Sequence, residues 1–109
     1  MEAELQKQQE LENNTIHFVA VGDNLIHQGI YESADTTQTV WNYDHLYEHI
    51  RDDISAADLA AVNEESIFVS DHANISSYPA FGSPVEIGDA LVTAGFDIVE
   101  QANNHVFDK

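Results

Sequence analysis

The sequence predicts an α/β domain built around a parallel sheet. Three apolar stretches, within "TIHFVAVGDN", "DLAAVNEESIF" and "FDIVEQANNH", each break abruptly into polar side chains. Segments with apolar residues at helical spacing separate them, so strands and helices alternate. Consecutive strand, helix, strand units cross over right-handed and leave their strands parallel.

The opening "MEAELQKQQELENN", residues 1–14, is polar and helix-prone with no apolar stripe, which predicts a helical stalk outside the core. Ile16, Phe18, Val19, Ala20 and Val21 form a nearly continuous apolar run closed by Gly22, the pattern of a strand buried on both faces. "NLIHQGIY" suits a short helix, and "ESADTTQTVWNY" carries no period and reads as a loop. Leu46, Ile50, Ile54 and Ala57 then stand at helical spacing behind an acidic N-cap, predicting one helix from Asp44. A short strand from Leu59 to Val62 follows, and after it the polar loop "VSDHANISSYPAFGS". Ser83, Pro84 and Glu86 fit the N-cap, first-turn and N3 positions of a capping box. Ile87, Leu91 and Ala94 share one face, and Gly95 supplies the stop of a helix over 84–94.

Composition narrows the partners. The 109 residues carry a formal charge of −17, with 20 acidic residues against Lys7, Arg51 and Lys109. Such a surface repels nucleic acid and anionic membranes and favours a cation. Without cysteine there is no disulfide framework and no thiolate zinc site. No apolar run reaches membrane-spanning length, so the chain as given is expected to be soluble.

In parallel sheets ligands collect at the carboxyl ends of the strands. The three predicted strands end in Gly22, Asp23, Asn24; in Asn63, Glu64, Glu65; and in Asn103, Asn104, His105. Parallel strands bring these triplets to one edge, where carboxylates, an Asn carbonyl and an imidazole suit a divalent ion such as Mn, Mg, Fe or Zn. Plainer roles compete for some of these residues. Asp23 suits a turn, Glu64 a solvated loop edge, and Asn103 hydrogen bonds to the backbone of its turn. His45 and His49, at i and i+4, are expected to face solvent. His17 reads as a satisfied strand histidine and His72 as a loop residue without a partner.

"VAVGDNLIH", "NEESIF", "YPAFGSP" and "GFDIVEQANNHVFD" resemble the N-terminal half of the poly-γ-glutamate capsule-synthesis protein CapA family, itself similar to calcineurin-like metallophosphoesterases. The resemblance covers residues 15–109 and implies the N-terminal half of a four-layer α/β/β/α metallophosphatase-like sandwich. It also implies a bacterial protein outside the cytoplasm or at its membrane, held there by a segment absent here. Asp23 matches the family's Gly-Asp aspartate, Asn63 and Glu65 its Asn-x-Glu motif, and Asn104 and His105 its Asn-His pair. The implied metal set is therefore Asp23, Asn63, Glu65, Asn104 and His105, with His105 also the implied catalytic residue. Leu25 stands where the wider superfamily has the histidine of Asp-x-His, which argues against a full two-metal centre of that type; His27 is a candidate substitute. The later histidines of the superfamily site have no counterpart before Lys109, so this stretch alone is expected to be inactive. The implied function is metal-dependent work in poly-γ-glutamate biosynthesis or export, with poly-γ-glutamate or the capsule-synthesis machinery as partner. The alternative is a non-catalytic module that holds a polyanion through bridging cations.

Overall fold

The computed structural model describes residues 1–34 and 40–109. The loop expected across "ESADTTQTVWNY" falls partly on residues 35–39, outside the described residues. The elements run α1 (Glu2–Asn13), β1 (Phe18–Asn24), α2 (Gln28–Tyr31), α3 (Arg51–Ala56), β2 (Leu59–Glu64), β3 (Phe68–Val69), β4 (Ser83–Pro84), α4 (Glu86–Ala94) and β5 (Ile98–Glu100). The expected alternation holds. β1, β2 and β5 form one sheet in the order β1-β2-β5 with both pairings parallel, and β3 and β4 make a second, two-stranded parallel sheet. Helix α1 buries none of its residues, as its lack of an apolar stripe requires.

The helices cover one face of the larger sheet. Ala60, Val62 and Glu64 alternate along β2 toward that face and are fully or almost fully buried. Against them α4 lays Ile87, Ala90, Leu91 and Ala94, the i, i+3, i+4, i+7 stripe, all buried. Burying a side chain the size of Ile87 or Leu91 stabilises by about 1.5–3 kcal/mol. Ile26, Ala34, Tyr43, Tyr47, Ile54 and Phe96 join them in this core. Gly95 ends α4 with φ 104°, a left-handed conformation that only glycine adopts without strain.

Four expectations are corrected. β1 is not buried on both faces: it pairs only with β2, and Phe18 is 56% exposed because no layer covers the far face of the sheet, while Val21, on the helix side beside Val62, is still 36% exposed on this edge strand. Leu59 and Ile98 share that open face with Phe18. The helix from Asp44 is broken into a 3₁₀ turn over Asp44–Tyr47 and the short α3. Tyr43, just before the 3₁₀ turn, and Tyr47, at its end, are both buried: Tyr43 donates to the Tyr31 carbonyl at 2.7 Å and Tyr47 meets the Phe96 ring edge-on. The capping box does not form. Ser83 lies in β4, its N–H donates to the Ile67 carbonyl at 2.8 Å, and its buried hydroxyl bonds Ser66, so α4 starts at Glu86 without a side-chain cap. His72, finally, has partners: Nε2 meets Glu86 Oε1 at 2.8 Å and the ring stacks on Trp41 at 3.8 Å.

Of the other histidines, His49 is exposed, and His45, also exposed, bonds the Ser33 hydroxyl at 2.8 Å. His17 is exposed just before β1, tied by its backbone N–H to Asp58.

Candidate functional site

The carboxyl ends of β1 and β2 are offset by a β-bulge. Val21 pairs with Val62 and Asn24 with Glu64, so Gly22 and Asp23 together oppose the single residue Asn63. The extra residue reverses the alternation that Val21 sets, turning Asp23 to the open face and Asn24 to the helix face. Asp23 stands beside Asn63, whose Nδ2 donates to Asp23 Oδ1 at 2.7 Å. Asn24 stands on the helix side beside Glu64, and its Nδ2 donates to Glu64 Oε2.

On the Asp23 side the predicted residues converge. Glu65 lies close enough to Asp23 for the two carboxyls to share a hydrogen bond, and its pKa is raised by desolvation first, then by that bond and the repulsion of Asp23, with His105 pulling the other way. His105 Nε2 is 3.9 Å from Glu65 Oε1. Asp23, Asn63, Glu65 and His105 thus form one contact chain across three strand ends. Asn104 is exposed, and the bonds that join the other four do not include it. Asn103 serves its turn as expected: Oδ1 accepts the His105 N–H at 2.9 Å and Nδ2 donates to the Glu64 carbonyl at 3.0 Å. His27 does not join the acidic cluster through any described hydrogen bond. It contacts the Ser77 hydroxyl at 3.4 Å and meets the Phe81 ring edge-on, with His105 edge-on to the same ring.

Two observations bear on whether a cation fits. Asn63 Oδ1 is buried without a hydrogen-bond partner, an acceptor left over beside two carboxylates. The carboxyl pair itself is a place where positive charge would relieve repulsion. Against this, among the described residues no group of three or more His, Asp and Glu side chains stands in a ligating arrangement. The donor set fits a hard divalent ion chemically, and the side chains are in contact without being drawn into ligand geometry.

The helix side holds a network that the sequence did not announce. Glu64 is fully buried rather than a loop edge, with Oε1 accepting from the Ser66 hydroxyl at 2.7 Å and Oε2 from Asn24. Tyr47 O–H donates to Asn24 Oδ1 at 3.0 Å. Desolvation pushes the Glu64 carboxyl up to about 7 against the opposing pull of its hydrogen bonds, and pushes Tyr47 up to about 12. A small pocket lined by Glu64, Glu65, Ser66, Ile67, Gln101 and Val106 adjoins both networks. Asp108 was also missed. It lies on the turn of His105, and its Oδ2 is 2.7 Å from His105 Nδ1; the one sequence signal is an acid three residues after the histidine.

A parallel α/β sheet with acidic and imidazole side chains gathered at its carboxyl edge defines an α/β protein with a strand-end polar site. The chain belongs to the bacterial capsule synthesis protein family PGA_cap, whose model matches residues 17–109. This membership ties the chain to bacterial capsule synthesis. No curated protein and no solved structure matches it. Among the described residues no helix is long and apolar enough to cross a membrane.

Proposed function

We propose that the chain is the metal-binding, metallophosphatase-like part of a capsule-synthesis protein that works on poly-γ-glutamate in its biosynthesis or export. The observation that carries this reading is the contact chain Asn63–Asp23–Glu65–His105 at the carboxyl edge. Asp23, Asn63, Glu65 and His105 would hold a divalent ion, Mn, Mg, Fe or Zn, and Asn104 on the adjoining turn would complete the set. Such an ion, when bound, polarises a phosphoryl or carbonyl oxygen or activates water. The residues of the chain do the remaining work. Asn63 holds Asp23 across the bulge, and His105 Nε2 faces Glu65 Oε1 at 3.9 Å. His105 is the proposed catalytic residue.

The parallel sheet with one helix-covered face and one open face is compatible with half of an α/β/β/α sandwich, the arrangement proposed for the whole domain. Activity at an extracytoplasmic or membrane-associated location belongs to the same proposal.

A second reading, a non-catalytic module that binds a polyanion through bridging cations, is favoured by one observation. A surface of net charge −17 repels polyglutamate unless cations intervene. Both readings need the ion. The test is Mn²⁺ titration calorimetry on the protein and on Asp23→Ala, Glu65→Ala and His105→Ala, with hydrolysis of a phosphoester and binding of poly-γ-glutamate measured alongside. Saturable binding lost in all three variants supports the site, and wild-type affinity in all three overturns it. Metal-dependent turnover selects the enzyme; metal-dependent polymer binding without turnover selects the module.

A further inference from the structure

We infer that Asp108 is a positioning residue for His105, fixing which ring nitrogen faces the acidic cluster. The inference deepens the proposed cation site, but its first consequence is readable on the metal-free protein. Asp108 Oδ2 lies 2.7 Å from His105 Nδ1 and accepts the Phe81 N–H at 2.7 Å with the same oxygen. The oxygen that accepts the Phe81 N–H accepts from the ring with its second lone pair, so the proton of a neutral His105 ring sits on Nδ1. Nε2 is then bare, and Nε2 is the nitrogen turned to Glu65.

A histidine that binds a cation or takes a proton needs one bare nitrogen aimed at the site and the other engaged behind it. The geometry supplies both. Phe81 holds the pair from two directions, through its backbone N–H to Asp108 and through its ring, set edge-on to His105 at 4.8 Å between centroids. The side-chain contacts thus run in order from Phe81 to Asp108, His105, Glu65 and Asp23.

A role confined to closing the turn would leave the tautomer alone, which makes the tautomer the decisive readout. Long-range ¹⁵N–¹H correlation spectra of the metal-free protein at pH 8 are expected to show His105 as the Nδ1–H form. Asp108→Ala should shift the ring toward Nε2–H and lower Mn²⁺ affinity by about 10- to 100-fold. Asp108→Asn keeps an acceptor oxygen for both the ring and Phe81, and should retain the tautomer with a smaller loss of affinity. A wild-type ring in the Nε2–H form overturns the inference, even if the alanine variant does not fold. So does a folded Asp108→Ala with unchanged tautomer and affinity. If the protein binds no Mn²⁺ yet shows the Nδ1–H ring and its loss in Asp108→Ala, the positioning role stands and the cation site falls.

Discussion

Asn63 donates from Nδ2 to Asp23 Oδ1 at 2.7 Å while its own Oδ1 is buried with no hydrogen-bond partner. A buried acceptor left unpaired costs about 1–3 kcal/mol, a cost that a cation at that oxygen would remove. Asn63→Ala deletes both the cross-strand bond and the spare oxygen. The expected result is at least a tenfold loss of Mn²⁺ affinity by calorimetry, against a stability change of only about 1 kcal/mol in urea with chelator present, since the lost bond and the lost penalty oppose each other. Wild-type Mn²⁺ affinity in this variant would show that the oxygen serves no cation.

Glu64 makes the stability depend on pH. Burial raises its folded-state pKa from 4.5 to about 7, so the folded chain holds the proton more tightly than the unfolded one. Its contribution is full below about pH 4.5 and is lost as pH rises through about 7. The swing is on the order of 3 kcal/mol at 1.36 kcal/mol per pKa unit. Glu64→Gln keeps the shape, can accept from Asn24 and donate to Ser66, and never ionises. Urea melts of the variant should lack that component between pH 4.5 and 7 and be more stable than wild type at pH 8; parallel curves for the two proteins would refute the assignment.

The sheet and the convergence of three strand ends were legible because apolar run length, helical spacing and crossover handedness are properties of the local chain. Asp23, Glu65 and His105 could be placed on one edge by that logic alone. The bulge could not: nothing in "VGDN" says that Gly22 and Asp23 will oppose one residue, and without it Gly22 would oppose Asn63 and Asp23 would stand beside Glu64 on the helix face. The sequence leaves a solvated loop edge open for Glu64, since a carboxylate is rarely buried without partners, and its partners Asn24, Ser66 and, through Asn24, Tyr47 come together only in the fold. Local signals also misled. Ser83, Pro84 and Glu86 satisfy a capping pattern, but strand pairing of β3 with β4 engages Ser83 first.

That competition changes what Ser83→Ala should do. The variant should lose about 1 kcal/mol, through the buried Ser66–Ser83 hydroxyl contact rather than through a helix cap. Ser66→Ala and the double variant discriminate. Coupling between the two positions in a double-mutant cycle supports the contact, and strict additivity would restore the cap.

Gly95 is the clearest backbone constraint. Its φ of 104° lies where a side chain is strained, and an added Cβ would stand 3.0 Å from Ser55 Oγ. Gly95→Ala should cost about 1–2 kcal/mol, with a fall in melting temperature of several degrees. Gly95→Asn, which tolerates left-handed backbone better, should cost less. Equal loss in the two variants would point to the Ser55 contact instead of the backbone.

The effect of a divalent ion on stability should itself depend on pH, because the carboxyl pair that would hold the ion also destabilises the fold when it is empty and ionised. Desolvation and the closeness of Asp23 raise the Glu65 pKa, so without metal this group's contribution is present at acid pH and declines as pH rises through its folded-state value. An ion bound only by the folded chain adds RT ln(1 + [L]/Kd), about 2.7 kcal/mol at a hundredfold excess over Kd. Protons compete for the same oxygens, so this gain should be largest at pH 7–8 and small near pH 4.5. Thermal melts with millimolar Mn²⁺ against chelator, run across that range, should give two curves that diverge upward in pH. Glu65→Gln should bring them together by removing both the repulsion and the ligand. Curves that stay a constant distance apart at every pH, or a Glu65→Gln protein that Mn²⁺ still stabilises fully, would place the ion somewhere other than between Asp23 and Glu65.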